Sequence, residues 1–325
     1  MTPGAQGPEM EGILSKVLLV AQESTLLSDL DASVSPLSPP LDAIGQAFRH
    51  NLAGAISTLA MPVDLVFAGA KKERLHRLQL AAIFRAKARM AASPDGSEGD
   101  VPEPERRRAG QEAEEQLRRE LDSNDGINSL ARISVEILAE ALQEKKVQRS
   151  AEELLRQGVV LIWGSFEVLC RDLFVAHLNT RPQDVIQLLE APGARRLFVA
   201  RGVDYDVLSQ HGFNVSNKLG TILATGHDLS GIPALKDIFG ALLPDPPLVI
   251  AALSERSLWV LQQRRHLIVH KRGIIDGRYV EATGDALAVG SQLTISPDDV
   301  RQYLDAVKDA GKVLLGLESK ALTGI

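Results

Sequence analysis

Residues 264 to 279 read RRHLIVHKRGIIDGRY and gather two arginines, two histidines and a Lys-Arg pair around a short apolar run. Arginine stays charged at any physiological pH, and its fork-shaped guanidinium matches phosphate oxygens. Histidine titrates near neutrality and can give or take a proton. Side chains of these types could hold a phosphate and move protons beside it. At about 100° per residue, Leu258, Leu261, Arg265 and Ile268 share one face of a helix, and Trp259, Gln263, His266 and His270 share a second. Arg265 and His270 are about 140° apart on that wheel, so they do not stack, yet a long arginine reaches a phosphate held in front of the histidine. Lys271, Arg272 and Gly273 are expected to close the helix, with cations at the negative dipole end and glycine just past it.

Spacing alone favours a plainer account. His266 and His270 would be surface histidines one turn apart, and the terminal cations would be dipole partners. A histidine pair at i,i+4 can also ligate a metal. No Glu, Asp or third His lies near enough in sequence to complete a site of the H-E-x-x-H kind, so neither metal nor cofactor is expected.

The elements that must position these residues read as helices. The chain has 325 residues, 45% apolar, 24% charged and only 4% aromatic, so its cores rest on Leu, Ile, Val and Ala. Its one cysteine, Cys170, excludes a disulfide framework and suits a reducing, cytoplasmic setting. No signal-like start and no apolar run of membrane-spanning length is read, so no membrane partner is expected. Residues from Lys146 onward carry 20 basic and 20 acidic side chains, so the net charge of −6 belongs to the segment before them. That balance neither demands nor excludes RNA.

Helices are expected over 12–30, 41–59, 63–92, with Leu75, Leu78, Ala82 and Phe84 turned inward, and 106–121. Residues 93–105 (SPDGSEGDVPEPE) read as a linker within an N-terminal helical region, 1–120, which is followed by a domain over 127–320. Asn124 or Asp125 is placed to cap one long helix, or two abutting ones, over 127–178, with Trp163 in its core. Arg181-Pro182 stops that pattern. A short helix near 184–190, a loop-rich segment over 192–248 and a strong helix over 248–272 follow. Alternation and Asp-Gly suggest a small β-hairpin over 274–295. Ser296-Pro297-Asp298-Asp299 then opens a closing helix that runs to about Glu318. Trp259 is expected in the core, and Asn214, Ser216, Asn217 and Lys218 read as a loop cap or a polar contact. The expected fold is mainly α.

Arg265, four residues, His270 near a helix end, then Gly273-Ile274-Ile275-Asp276 and a Tyr resembles the signature of the HEPN superfamily, in particular its RiboL-PSP-type members. IWGSFEVLCRDLF at 162–174 is similar to the first long helix of that group, and the resemblance covers about 145–320. The polar residue that usually follows the arginine is His266 here, and Arg264 with five residues to His270 also satisfies the motif. The resemblance implies a HEPN-type helical bundle that dimerises, two motifs facing one cleft, with RNA as its partner. It further implies a metal-independent endoribonuclease that leaves 2′,3′-cyclic phosphate and 5′-OH ends, serving as a toxin or anti-phage defence effector with an antitoxin or regulatory partner. Arg265 and His270, with His266 in the polar slot, would be catalytic. Arg264 and Glu167 would support them, Glu167 either orienting an arginine or standing as an exposed helix carboxylate. The competing expectations are a HEPN dimer that binds RNA or nucleotide without cutting, and a purely structural helical protein.

Overall fold

The structure, a computed structural model, describes residues 18–19, 23–92, 100–199, 205–226, 229 and 231–323. Among these the chain is mainly α-helical with no strand. It divides into two compact units, one drawn from residues 1–20 and 60–151 and the other from 21–59 and 152–325.

α1 (Glu23–Val34) stops just before Ser35-Pro36, because proline disfavours helical backbone in the residue it follows. Leu18 and Leu19 lie outside any helix, and the expected start at residue 12 falls outside the described residues. The two helices expected over 41–59 and 63–92 form one, α2 (Leu41–Ala91), which passes through Pro62. A proline there removes one intrahelical donor at a cost of about 3 kcal/mol, so packing on both sides must offset it. The fusion overturns the reading that no segment is long and apolar enough to span a membrane: by length and composition α2 contains one. A core helix passes the same test. Phe84, expected inward, is 69% exposed, while Leu78 and Ala82 are buried.

In the first unit, the later part of α2 packs on α3 (Glu103–Leu121) through Leu78, Ala113 and Leu117. Arg74 donates two hydrogen bonds to Glu120, Nε to Oε2 at 2.9 Å and Nη2 to Oε1 at 2.8 Å, across the same seam. α4 (Asn124–Ala141) is capped by Ser123, whose hydroxyl accepts from the Gly126 amide, and not by Asn124 or Asp125. Leu138, Leu142 and Ala151 gather with Leu18 in a second cluster.

Three residues separate the end of α4 from the start of α5 (Lys145–Thr180), so the 127–178 pattern is two helices. In the second unit its buried stripe runs through Leu155, Val159, Ile162, Trp163, Phe166, Leu169, Cys170 and Leu173. The early part of α2 and the closing helix cross closely, since a Cβ on Gly311 would fall 2.5 Å from the Phe48 ring. The short helix expected near 184–190 is α6 (Val185–Glu190), and the segment expected to be loop-rich with only short helical pieces carries a series of short helices: α7 (Pro192–Val199), α8 (Tyr205–Gln210), α9 (Leu219–Gly226), α10 (Ile232–Leu242) and α11 (Pro246–Leu253). Asn214 accepts from the Ser216 amide at 3.0 Å in an exposed turn, the loop-cap role.

The helix expected over 248–272 is split at Ser254-Glu255 into α11 and α12 (Arg256–Lys271). No β-hairpin follows. A single antiparallel bridge joins Ile274 to Gln292, and a short helix, α13 (Gly277–Thr283), occupies the span between. Asp276 caps α13 by accepting from the Tyr279 amide at 2.9 Å, so local capping outcompetes strand pairing. α14 (Pro297–Thr323) opens on a reciprocal cap: Ser296 Oγ accepts from the Asp299 amide, and Asp299 Oδ2 accepts from the Ser296 amide.

Candidate active site

The site sits at the C-terminal end of α12, and both ends of that helix are fixed by local chemistry. Glu255 caps the start by accepting from the Leu258 amide at 2.9 Å. Leu258, Val260, Leu261, Leu267 and Ile268 bury the inner face. At the other end Arg272 and Gly273 both adopt left-handed backbone, φ 54° and 73°, and the Gly273 amide reaches back to the Leu267 carbonyl. Left-handed backbone at Arg272 costs about 1 kcal/mol that glycine would not incur. The Leu293 amide donates to the Gly273 carbonyl at 2.8 Å, and Gln292 donates its side-chain amide to the Arg272 carbonyl. Ile275 is buried, so Gly-Ile-Ile-Asp is a built turn: a left-handed stop, an apolar anchor and a cap.

The two arginines diverge. Arg264 turns inward. Its Nε donates to the Tyr279 hydroxyl at 3.1 Å and its Nη1 to Asp299 at 2.9 Å, with Asp285 at 3.6 Å. The guanidinium also lies 5.8 Å from the centre of the Tyr303 ring. Burial works against the charge, but Tyr303, Asp299 and Tyr279 outweigh it and push the pKa up. Burial likewise raises the Tyr303 hydroxyl. Tyr279 is held from its other side by a short hydrogen bond that it donates to Asp285. Arg264 thus ties α12 to α13 and α14, and its guanidinium is committed.

Arg265 points elsewhere. It meets Glu167 of α5 through one contact, Nη2 to Oε2 at 3.4 Å. Its Nε, and the other carboxylate oxygen of Glu167, are buried with no partner among the described residues. The pair is loose, and an incoming acceptor could take the guanidinium without breaking a strong bond. Glu167 is therefore no bystander on an exposed face, since it is the group that faces Arg265.

His266 and His270 are both exposed, and their rings lie 4.6 Å apart at 46°. Partial desolvation, followed by the neighbouring charges of His270 and Arg265, lowers the pKa of His266. The shift favours the neutral imidazole, the form that can accept a proton. Of the expected site residues, the structure keeps Arg265, Glu167, His266 and His270 on accessible surface and draws Arg264 into the scaffold. The sequence reading missed Tyr279, Asp285, Asp299 and Tyr303 as partners of Arg264. The spacing marks the Tyr after Gly-Ile-Ile-Asp and Asp299 at the start of the closing helix, but pairs neither with Arg264. It also missed a cleft of about 900 Å³ between α12 and α13, lined by His266, Lys271, Arg278 and Glu281 among others. Trp259 is half-exposed and donates its indole N–H to the Ala282 carbonyl at 3.3 Å, so it braces α13 from outside the core.

The chain matches no protein-family model, no curated protein and no solved structure.

Proposed function

We propose that the chain is a HEPN-type, metal-independent endoribonuclease acting in the cytoplasm as a toxin or anti-phage defence effector. The observation that carries this reading is the division of labour at the end of α12. Arg264 is committed to structure, while Arg265 is held by one long contact beside two exposed histidines.

In the proposed reaction Arg265 holds the scissile phosphate as negative charge builds on its oxygens. A histidine removes the proton from the adjacent 2′-OH, whose oxygen attacks phosphorus. The P–O5′ bond breaks, and a second histidine protonates the departing 5′-oxygen. The products are a 2′,3′-cyclic phosphate and a 5′-OH. His270 takes one of these two roles. A two-fold homodimer would bring a second copy of Arg265 and His270 to the same cleft, as the HEPN resemblance implies. An antitoxin or regulatory partner would then cover or separate the paired sites.

The test is RNA cleavage by purified protein with mapped ends. Arg265→Ala and His270→Ala should each abolish cleavage while the helical fold persists. Unchanged cleavage by His270→Ala would sink the mechanism. RNA bound but left intact by the wild-type chain would favour the non-catalytic HEPN dimer instead.

A further inference from the structure

The cleft between α12 and α13 is the one feature near the site that the proposed chemistry leaves unused. Its volume, about 900 Å³, falls within the range of roughly 300–1,000 Å³ typical of small-molecule sites. Its walls are preformed. Arg264 and Asp285 fix Tyr279 on one wall, and Trp259 pins the end of α13 through Ala282. Asp276 is spent as the cap of α13.

The remaining polar groups are uncommitted. Lys271 and Arg278 are exposed and form no ion pair among the described residues. Glu281 is exposed on the same α13, and His266 closes the cleft towards His270. Two cations, an uncommitted carboxylate beside the capping one of Asp276, and one imidazole around a half-open cleft suit a ligand that is anionic at one end and rich in hydrogen-bond donors at the other. Phosphate meets the cations through charge-assisted bonds. Sugar hydroxyls or base amino groups donate to the carboxylate. An acidic peptide would satisfy Lys271 and Arg278 but would set a like charge against Glu281.

We infer that this cleft is a nucleotide subsite, binding the ribonucleotide next to the scissile bond with its phosphate on Lys271 and Arg278 and its sugar or base on Glu281. The choice of RNA rests on the ribonuclease reading, but binding of a single nucleotide does not require cleavage. Because His266 is shared between cleft and histidine pair, a nucleotide seated here has its phosphodiester beside His270.

The experiment uses the full chain and titrates 3′-nucleoside monophosphates, inorganic phosphate and a poly-glutamate peptide by calorimetry. A nucleotide should bind about tenfold or more tightly than inorganic phosphate, since one further hydrogen bond to a charged group supplies that factor. Lys271→Glu with Arg278→Glu should remove the binding, Glu281→Gln should change the ranking of the four bases, and His270→Ala should leave binding in place. Equal affinity for phosphate and nucleotide, tighter binding of the peptide, or no loss in the double variant would each overturn the inference. The two readings fail separately. A chain that binds nucleotides but cuts no RNA keeps the subsite and loses the nuclease. One that cuts RNA equally well with Lys271 and Arg278 reversed keeps the nuclease and loses the subsite.

Discussion

Two histidine clusters in the same unit sit in opposite surroundings. His177, on α5, is completely buried, with Nδ1 2.9 Å from Glu318 of α14 and Nε2 3.2 Å from Asp184. Arg181 adds a guanidinium 2.8 Å from Asp184. Burial pulls the pKa of His177 down, but Glu318 and then Asp184 more than offset it, leaving the imidazole above the ordinary histidine value. His266 and His270, on α12, are exposed and have no carboxylate within hydrogen-bond distance among the described residues, and His266 feels Arg265 and Lys271 against Asp276. The first cluster spends the titratable group on cohesion. The second leaves its groups available. A histidine able to do chemistry is recognised here by what it lacks, a fixed partner, as much as by its neighbours.

The largest expected effect comes from His177→Phe. The ring volume is roughly kept, but both nitrogens go, and Glu318 and Asp184 are left buried against an apolar ring. Removing one partner of a buried charge cluster costs about 3–5 kcal/mol. Urea unfolding should show that loss, and a loss below about 1 kcal/mol would mean the cluster does not hold α5 to α14.

The same group sets a pH dependence. A histidine whose folded pKa is raised stabilises the fold fully below its unfolded value, about 6.5, and loses that contribution as pH rises through the folded value. The urea midpoint should therefore fall between about pH 6.5 and the folded pKa. The fall should vanish in His177→Phe. A fall of equal size in that variant would assign the dependence to another group and remove the basis for contrasting the clusters.

The adjacent arginines repeat the contrast one residue apart. Arg264→Leu takes a cation from the partly exposed Asp299 and Asp285 and the buried Tyr279, and should cost about 2–4 kcal/mol. Arg265→Leu removes one long contact and a buried Nε with no partner, so it should cost less than about 1 kcal/mol. Equal costs in thermal or urea unfolding would show that Arg265 is as structural as its neighbour.

Why these distinctions were hidden in the sequence follows from where the partners lie. The faces of α12, the reciprocal cap of Ser296 with Asp299 and the stop at Arg181-Pro182 depend on residues within one turn of each other, so local spacing exposed them. Glu318 is 141 residues from His177, and Asp299 is 35 from Arg264, so no local pattern marks either pair. A step of 100° separates Arg264 from Arg265 on the helix, which decides that they face different ways but not which way is occupied. The hairpin reading failed because Asp276 serves a helix cap as readily as a turn. Phe84 was placed inside because apolar spacing does not say that Leu78 and Ala82 already fill the seam with α3.

The smallest stability effect is the most informative. His270→Ala removes an exposed ring at the end of α12 and should shift unfolding by no more than about 0.5 kcal/mol, as surface changes do. Circular dichroism with urea titration at pH 8 measures it. A cost near that of His177→Phe would make His270 part of the scaffold, and its loss of RNA cleavage could then be blamed on unfolding. A negligible cost at pH 8 removes that explanation, so any lost activity belongs to the imidazole itself. If the proposed function holds, the exposed cluster is where function and stability separate, and His270 is the residue that tests it.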